Sequence, residues 1–141
     1  MQIRKMTIDD YEQVYDIWKN TLGIGLHDYE DSKTGIDKFK KRNPNTCFVS
    51  EENKNIIGVV LCGHNGRKGE INHLAVNLSN RREGIGTILV KNVLNALKEE
   101  GITRVSVLIF EDNKTGNKFW NKMGFSERDD LIYRIKELKR I

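Results

Sequence analysis

Proline, cysteine and histidine are scarce in this chain: one, two and three residues in 141. A lone proline, Pro44, leaves no room for a proline-rich linker. Cys47 and Cys62 stand without metal-like spacing and with no other ligand cluster beside them. No metal site and no disulfide framework are expected, only two reduced thiols of a cytoplasmic protein. No apolar run reaches the roughly 18 residues that would span a membrane. Met1 to Met6 has no long apolar stretch of the kind a secretory leader needs. A strong excess of one charge is missing too. The net charge is +4, from 24 basic and 20 acidic residues. The densest basic run, Lys38-Phe39-Lys40-Lys41-Arg42, interleaves only Phe39 as a stacking group, so nucleic acid is not an expected partner. What the chain does have is 38% hydrophobic residues, enough in a chain of this length to bury a real core within one domain, residues 1–141.

Periodicity divides that length into elements. Gln2 to Met6 alternates as a first strand. Thr7 and Asp10 sit at capping-box spacing before a helix whose apolar stripe is Tyr11, Val14, Tyr15, Ile17 and Trp18. Residues 21–32 read as a loop and Gly35 to Arg42 as a second helix, stopped by Asn43-Pro44. Thr46 to Glu51, Ile56 to Leu61 and Glu70 to Val76 form a three-strand meander. Ile85, Leu89, Val90, Val93, Leu94 and Leu97 make one helix face, ended by Gly101. Val105 to Phe110 is the next strand, and a helix begins at Asn113 or Thr115. Phe125 to Arg128 and Leu131 to Ile135 read as a closing pair of strands. This order predicts an α+β domain built on a mixed sheet.

The chemistry concentrates between Leu74 and Thr87. An apolar strand end, Leu74-Ala75-Val76, is followed by Arg81-Arg82-Glu83-Gly84-Ile85-Gly86-Thr87, which opens a helix. Glycines let backbone approach a ligand closely. First-turn N–H groups and the helix dipole favour an anion there, and arginines add forked donors. Two familiar phosphate loops are excluded. The chain has no G-x-x-x-x-G-K-[ST] string, and Leu89 stands where a dinucleotide fingerprint needs its third glycine.

The whole string, Leu-Ala-Val followed by Arg-x-x-Gly-x-Gly, resembles the acyl-coenzyme A loop of the GNAT superfamily, the general N-acetyltransferases. A second string, Asn113-Lys114-Thr115-Gly116-Asn117-Lys118-Phe119-Trp120-Asn121-Lys122-Met123-Gly124-Phe125, is similar to that superfamily's later motif. The resemblance implies a GNAT-type sheet, mostly antiparallel and flanked by helices, with a splayed strand pair at the cofactor site. It implies acetyl-coenzyme A as the acetyl donor. Leu74, Ala75 and Val76 would offer backbone groups to the pantetheine arm, and Arg81 through Thr87 would cradle the pyrophosphate. Asn113 reads equally as a helix cap and as a pantetheine contact.

Acyl transfer to an amine needs a base, an oxyanion donor and an exit for the thiolate. Strand alternation places Glu70, Asn72, Leu74 and Val76 on one face. Glu70, four residues before Leu74, is the candidate base, or else a solvated strand-start glutamate. The Val76 N–H is the oxyanion donor by family analogy. His73 falls on the opposite parity and reads as a packed or surface histidine, and His64 lies on a turn. The family's usual tyrosine acid falls at Trp120, whose indole N–H donates a hydrogen bond but no proton. Trp120 either packs on the pantetheine or fills the core beside Phe119. Asp28, Glu30 and Asp31 are candidates to attract a cationic amine. The expected function is direct acetyl transfer to a primary amine of unidentified source. The alternative is a non-catalytic acyl-coenzyme A module. Monomer and homodimer are both open.

Overall fold

The structure is a computed structural model that describes residues 1–138. Five strands form one sheet in the order β1-β2-β3-β4-β5. They are β1 Gln2–Lys5, β2 Phe48–Glu52, β3 Asn55–His64, β4 Gly69–Val76 and β5 Val105–Val107. The first four pair antiparallel, and β4 and β5 pair parallel. The helices are α1 Tyr11–Lys19, α2 Lys33–Arg42, α3 Ile85–Glu99 and α4 Lys114–Lys122. Apolar residues of β3 alternate between two cores, as a strand covered on both faces must. Ile57, Val60 and Cys62 pack with α3, whereas Val59 and Leu61 pack with α1 and α2.

Local chemistry explains the element ends. The Thr7 N–H donates to Asp10 Oδ2 at 2.8 Å ahead of α1, as its spacing predicts. Ser32 caps α2 by accepting the Gly35 N–H at 3.1 Å. Asn113 caps α4 through the Gly116 N–H at 2.9 Å.

Two expectations fail. The strand predicted to run to Phe110 ends at Val107, and Leu108 and Phe110 are exposed. The closing strands at Phe125–Arg128 and Leu131–Ile135 are not formed. Only the start of that segment is anchored: the Phe125 N–H reaches the Trp120 carbonyl at 2.9 Å and its ring meets Trp120 edge-on. Alternation at Leu131, Tyr133 and Ile135 reports strand propensity, but a strand also needs a neighbour, and β5 offers only three residues of ladder.

An ion pair locks β1 to the start of α1. Arg4 grips both oxygens of Asp10 at 2.9 Å each and also reaches Glu51. Burial pushes the Asp10 carboxyl up, but the Arg4 and Thr7 hydrogen bonds outweigh it and hold the group below its ordinary value. A carboxyl depressed in the folded state stabilises the fold above its unfolded pKa, about 3.9, and that stability is lost as pH falls through the folded value. Asp10→Asn is therefore expected to cost about 2 kcal/mol at pH 6. Its melting-temperature deficit against the parent should narrow by pH 3, measured by calorimetry at both values.

Candidate active site

The β4–β5 ladder stops at Ile71↔Val107. Beyond it the two strands part, and β4 continues to Val76 paired only with β3. The Asn77 N–H meets the Ile57 carbonyl at 2.7 Å, so 77/57 and 75/59 are the hydrogen-bonded pairs of this ladder. Leu74 and Val76 alternate with them and direct their N–H and C=O groups away from β3, into the opening. Ala75 spends its backbone groups on β3 and is 3% exposed. This corrects the expectation that all three residues serve the opening. The Val76 carbonyl already accepts Arg81 Nε at 3.2 Å.

The opening leads to the start of α3. The Ile88 N–H is the first to close on the helix, at the Gly84 carbonyl, 3.1 Å away. The N–H groups of Ile85, Gly86 and Thr87 precede it and are the helix's unpaired donors. Gly84 has φ +77° and caps the helix from the left-handed region. Arg82 shares that region at φ 70°, a strained conformation for a residue with a Cβ. Arg81, Arg82, Glu83 and Gly84 are exposed, whereas the Ile85 side chain is in the core. A Cβ at Gly86 would meet Phe119 at 3.5 Å and Leu74 at 3.8 Å, ordinary contacts. Nothing in the protein's own packing therefore requires a glycine at 86. Phe119, which sequence reasoning passed over, forms the wall there.

Trp120 is 7% exposed, with Phe119 and Phe125 edge-on at 5.0 and 4.9 Å. Of its two expected roles it fills the core. Asn113 is the cap of α4, and its side chain abuts Gly23.

The face assignment of β4 also changes. Between Leu61↔His73 and Cys62↔Ile71 the register slips by one residue, leaving Asn72 as a bulge. Ile71, Leu74 and Val76 consequently share the α3 side. Glu70 lies opposite Gly63, which faces Phe39 of α2. His73 lies opposite Leu61 of the α1–α2 core. Glu70 and His73 thus occupy one face, with Ala75, and not the two faces that strict alternation predicts. Glu70 is exposed and accepts the Asn72 Nδ2 hydrogen bond at 3.2 Å. His64 pairs with Glu100 at 2.8 Å, at the far end of α3 from the glycine loop.

On that same face the 21–32 loop crosses the opening. Its Gly23 and Gly25 lie against Asn113 and Phe110 on the β5 side. Its Asp31 meets His73 of β4 at 2.8 Å. Asp31 is 7% exposed and also accepts the His27 N–H at 2.8 Å. Burial raises its carboxyl, and the His73 and His27 hydrogen bonds more than offset that and hold it below the usual range. Asp31 is thus committed to internal partners, and Glu30 lies 3.9 Å from His27.

A sheet with one splayed parallel pair, opening onto an arginine- and glycine-bearing helix start and flanked by helices, defines an α+β protein. The chain belongs to the acetyltransferase (GNAT) family, whose sequence model matches residues 11–125, and it is an enzyme of that acyltransferase class. It is 25% identical over 132 residues to an acetyltransferase of Yersinia pestis, covering 94% of this chain and 92% of the relative. The fold is shared with Ard1 of Thermoplasma volcanium, at TM-score 0.79 and 23% identity over 89% of this chain and 82% of that one. It is shared equally with the PaiA N-acetyltransferase of Thermoplasma acidophilum, solved with coenzyme A, at TM-score 0.79 and 22% identity over 92% of each chain. No helix among the described residues is long and apolar enough to cross a membrane.

Proposed function

We propose that the protein moves an acetyl group from acetyl-coenzyme A to a primary amine, of a small molecule or a protein, by direct transfer in a ternary complex. The observation that carries this reading is the β4–β5 opening, lined by backbone groups of Leu74 and Val76 that β3 does not use and ending on unpaired N–H donors. Coenzyme A bound to the PaiA protein supports the choice of donor. The N–H groups of Ile85, Gly86 and Thr87, with Arg81 and Arg82, would take the pyrophosphate while Glu83 and Gly84 shape the turn. Leu74 and Val76 would pair with the pantetheine arm. Ala75 would contribute by holding β4 on β3. Asn113 would add its Nδ2 at the β5 wall, and Trp120 would back Phe119 from the core.

The acceptor enters from the α1–α2 face, where Glu70, exposed and hydrogen-bonded by Asn72, would take a proton from an ammonium group. The Val76 N–H points into the opening, as an oxyanion donor must. Direct transfer is supported by the state of the thiols. Burial pushes Cys62 up to about 12 and raises Cys47 as well, so neither is available as a thiolate nucleophile.

Isothermal calorimetry with coenzyme A tests the donor claim, with one site expected and absence of binding heat counting against it. Glu70→Gln should keep coenzyme A affinity and lower kcat roughly tenfold. An unchanged kcat removes Glu70 from the mechanism and leaves the donor assignment standing.

A further inference from the structure

We propose that His73, oriented by Asp31, is a second proton acceptor in the reaction. The inference rests on the acetyl-transfer reading and adds a catalytic residue to it.

The bulge at Asn72 is the first support. It turns His73 onto the face where the 21–32 loop crosses the opening, one residue before Leu74 and just past the end of the β4–β5 ladder. Hydrogen-bond polarity is the second. Asp31 is a carboxylate and accepts only, so the 2.8 Å contact makes Nε2 the protonated nitrogen of His73. In the neutral imidazole the lone pair is then on Nδ1, which has no hydrogen-bond partner among the described residues. The third support is rigidity. Trp18 meets the imidazole edge-on at 4.9 Å, and Asp31 is fixed by the His27 N–H and, at its carbonyl, by the Tyr11 hydroxyl at 2.6 Å. A carboxylate holding one imidazole nitrogen so that the other can take a proton is the arrangement of a base with its positioning residue.

The groups facing His73 are few. The loop presents Asp31 and, behind it, His27. From α1 come Trp18 and the phenol of Tyr11, whose pKa burial pushes up. Leu61 of β3 is apolar, and Glu70 is the one other ionisable side chain of β4 on this face.

The step balances. The acceptor ammonium gives one proton to Nδ1. The freed lone pair forms the C–N bond at the thioester carbonyl carbon. The C–S bond breaks with its electrons on sulfur, and the second nitrogen proton passes to that thiolate. The imidazolium returns its proton to water.

His73→Gln tests this, because the Gln amide reaches Asp31 from the Nε2 position while removing the Nδ1 base. Acetyl-coenzyme A turnover would be followed against polyamines, aminoglycosides and peptide N-termini, with coenzyme A calorimetry and melting temperature measured alongside. The expected result is a kcat loss on the order of a hundredfold. Coenzyme A affinity and melting temperature should be unchanged. Asp31→Asn should lower kcat about tenfold, and nitrogen-15 NMR should show the Nε2–H tautomer of His73 in the parent and its loss in this variant. A His73→Gln enzyme within threefold of the parent kcat overturns the proposal and leaves acetyl transfer intact. A parent protein that binds no coenzyme A and turns over no amine overturns both.

Discussion

Gly86→Glu is expected to abolish coenzyme A binding while leaving the fold intact. The two halves of that expectation have separate causes. Gly86 lies in the first turn of α3 without the positive φ that Gly84 needs. A Cβ there makes only van der Waals contacts with Phe119 and Leu74, so the first turn of α3 need not move to accept a side chain. A carboxylate in a helix first turn complements the dipole by about 0.3–1 kcal/mol, and any residue other than proline improves on glycine in helix propensity. Stability should hold or rise. Binding meets the opposite balance: the side chain occupies the space beside the donors and its charge opposes the pyrophosphate. Affinity should fall more than a hundredfold by calorimetry, with the melting temperature unchanged or higher. Gly86→Ala should fall between, which separates bulk from charge. Unchanged affinity in the glutamate variant contradicts the loop assignment.

Trp18→Ala is expected to give the largest stability loss. Trp18 is 1% exposed and lies between Tyr15, at 6.4 Å, and His73, at 4.9 Å. Removing an aromatic from such a position costs about 3–5 kcal/mol, a large share of the 5–15 kcal/mol that holds a domain of this size. The melting temperature should drop by about 10–15 °C. Trp18→Phe should cost far less than the area difference alone suggests. The Trp18 indole N–H is buried with no hydrogen-bond partner among the described residues. Its removal relieves an uncompensated donor worth about 1–3 kcal/mol. A phenylalanine variant as unstable as the alanine one contradicts that account.

Sequence reading reached the elements whose signals are local. The α3 stripe, the meander, the capping residues Thr7 and Asn113 and the glycine loop each depend on residues within a turn or two of one another. The splayed pair came with the family resemblance and stands in the structure. Long-range pairing was the part that escaped. The 2.8 Å contact between Asp31 and His73 joins residues 42 apart, and no local pattern encodes it. The Asn72 bulge was partly legible. Ile71 and Leu74 are both apolar and three residues apart, which strict alternation cannot bury on one side. Only the register against Leu61 and Cys62 shows that the strand slips to satisfy both. Trp120 lies in the core because Phe119 and Phe125 close around it, a packing decision made between side chains on a helix and the turn that follows. The closing strands failed for the opposite reason, since alternation was present and a partner edge was not.

The most direct test of the central claim is thiol release from acetyl-coenzyme A across a broad amine panel, with the product mass measured in the same reaction. The account predicts amine-dependent release matched one to one by an acetylated amine. Binding of coenzyme A with no amine raising release above the amine-free rate would contradict it.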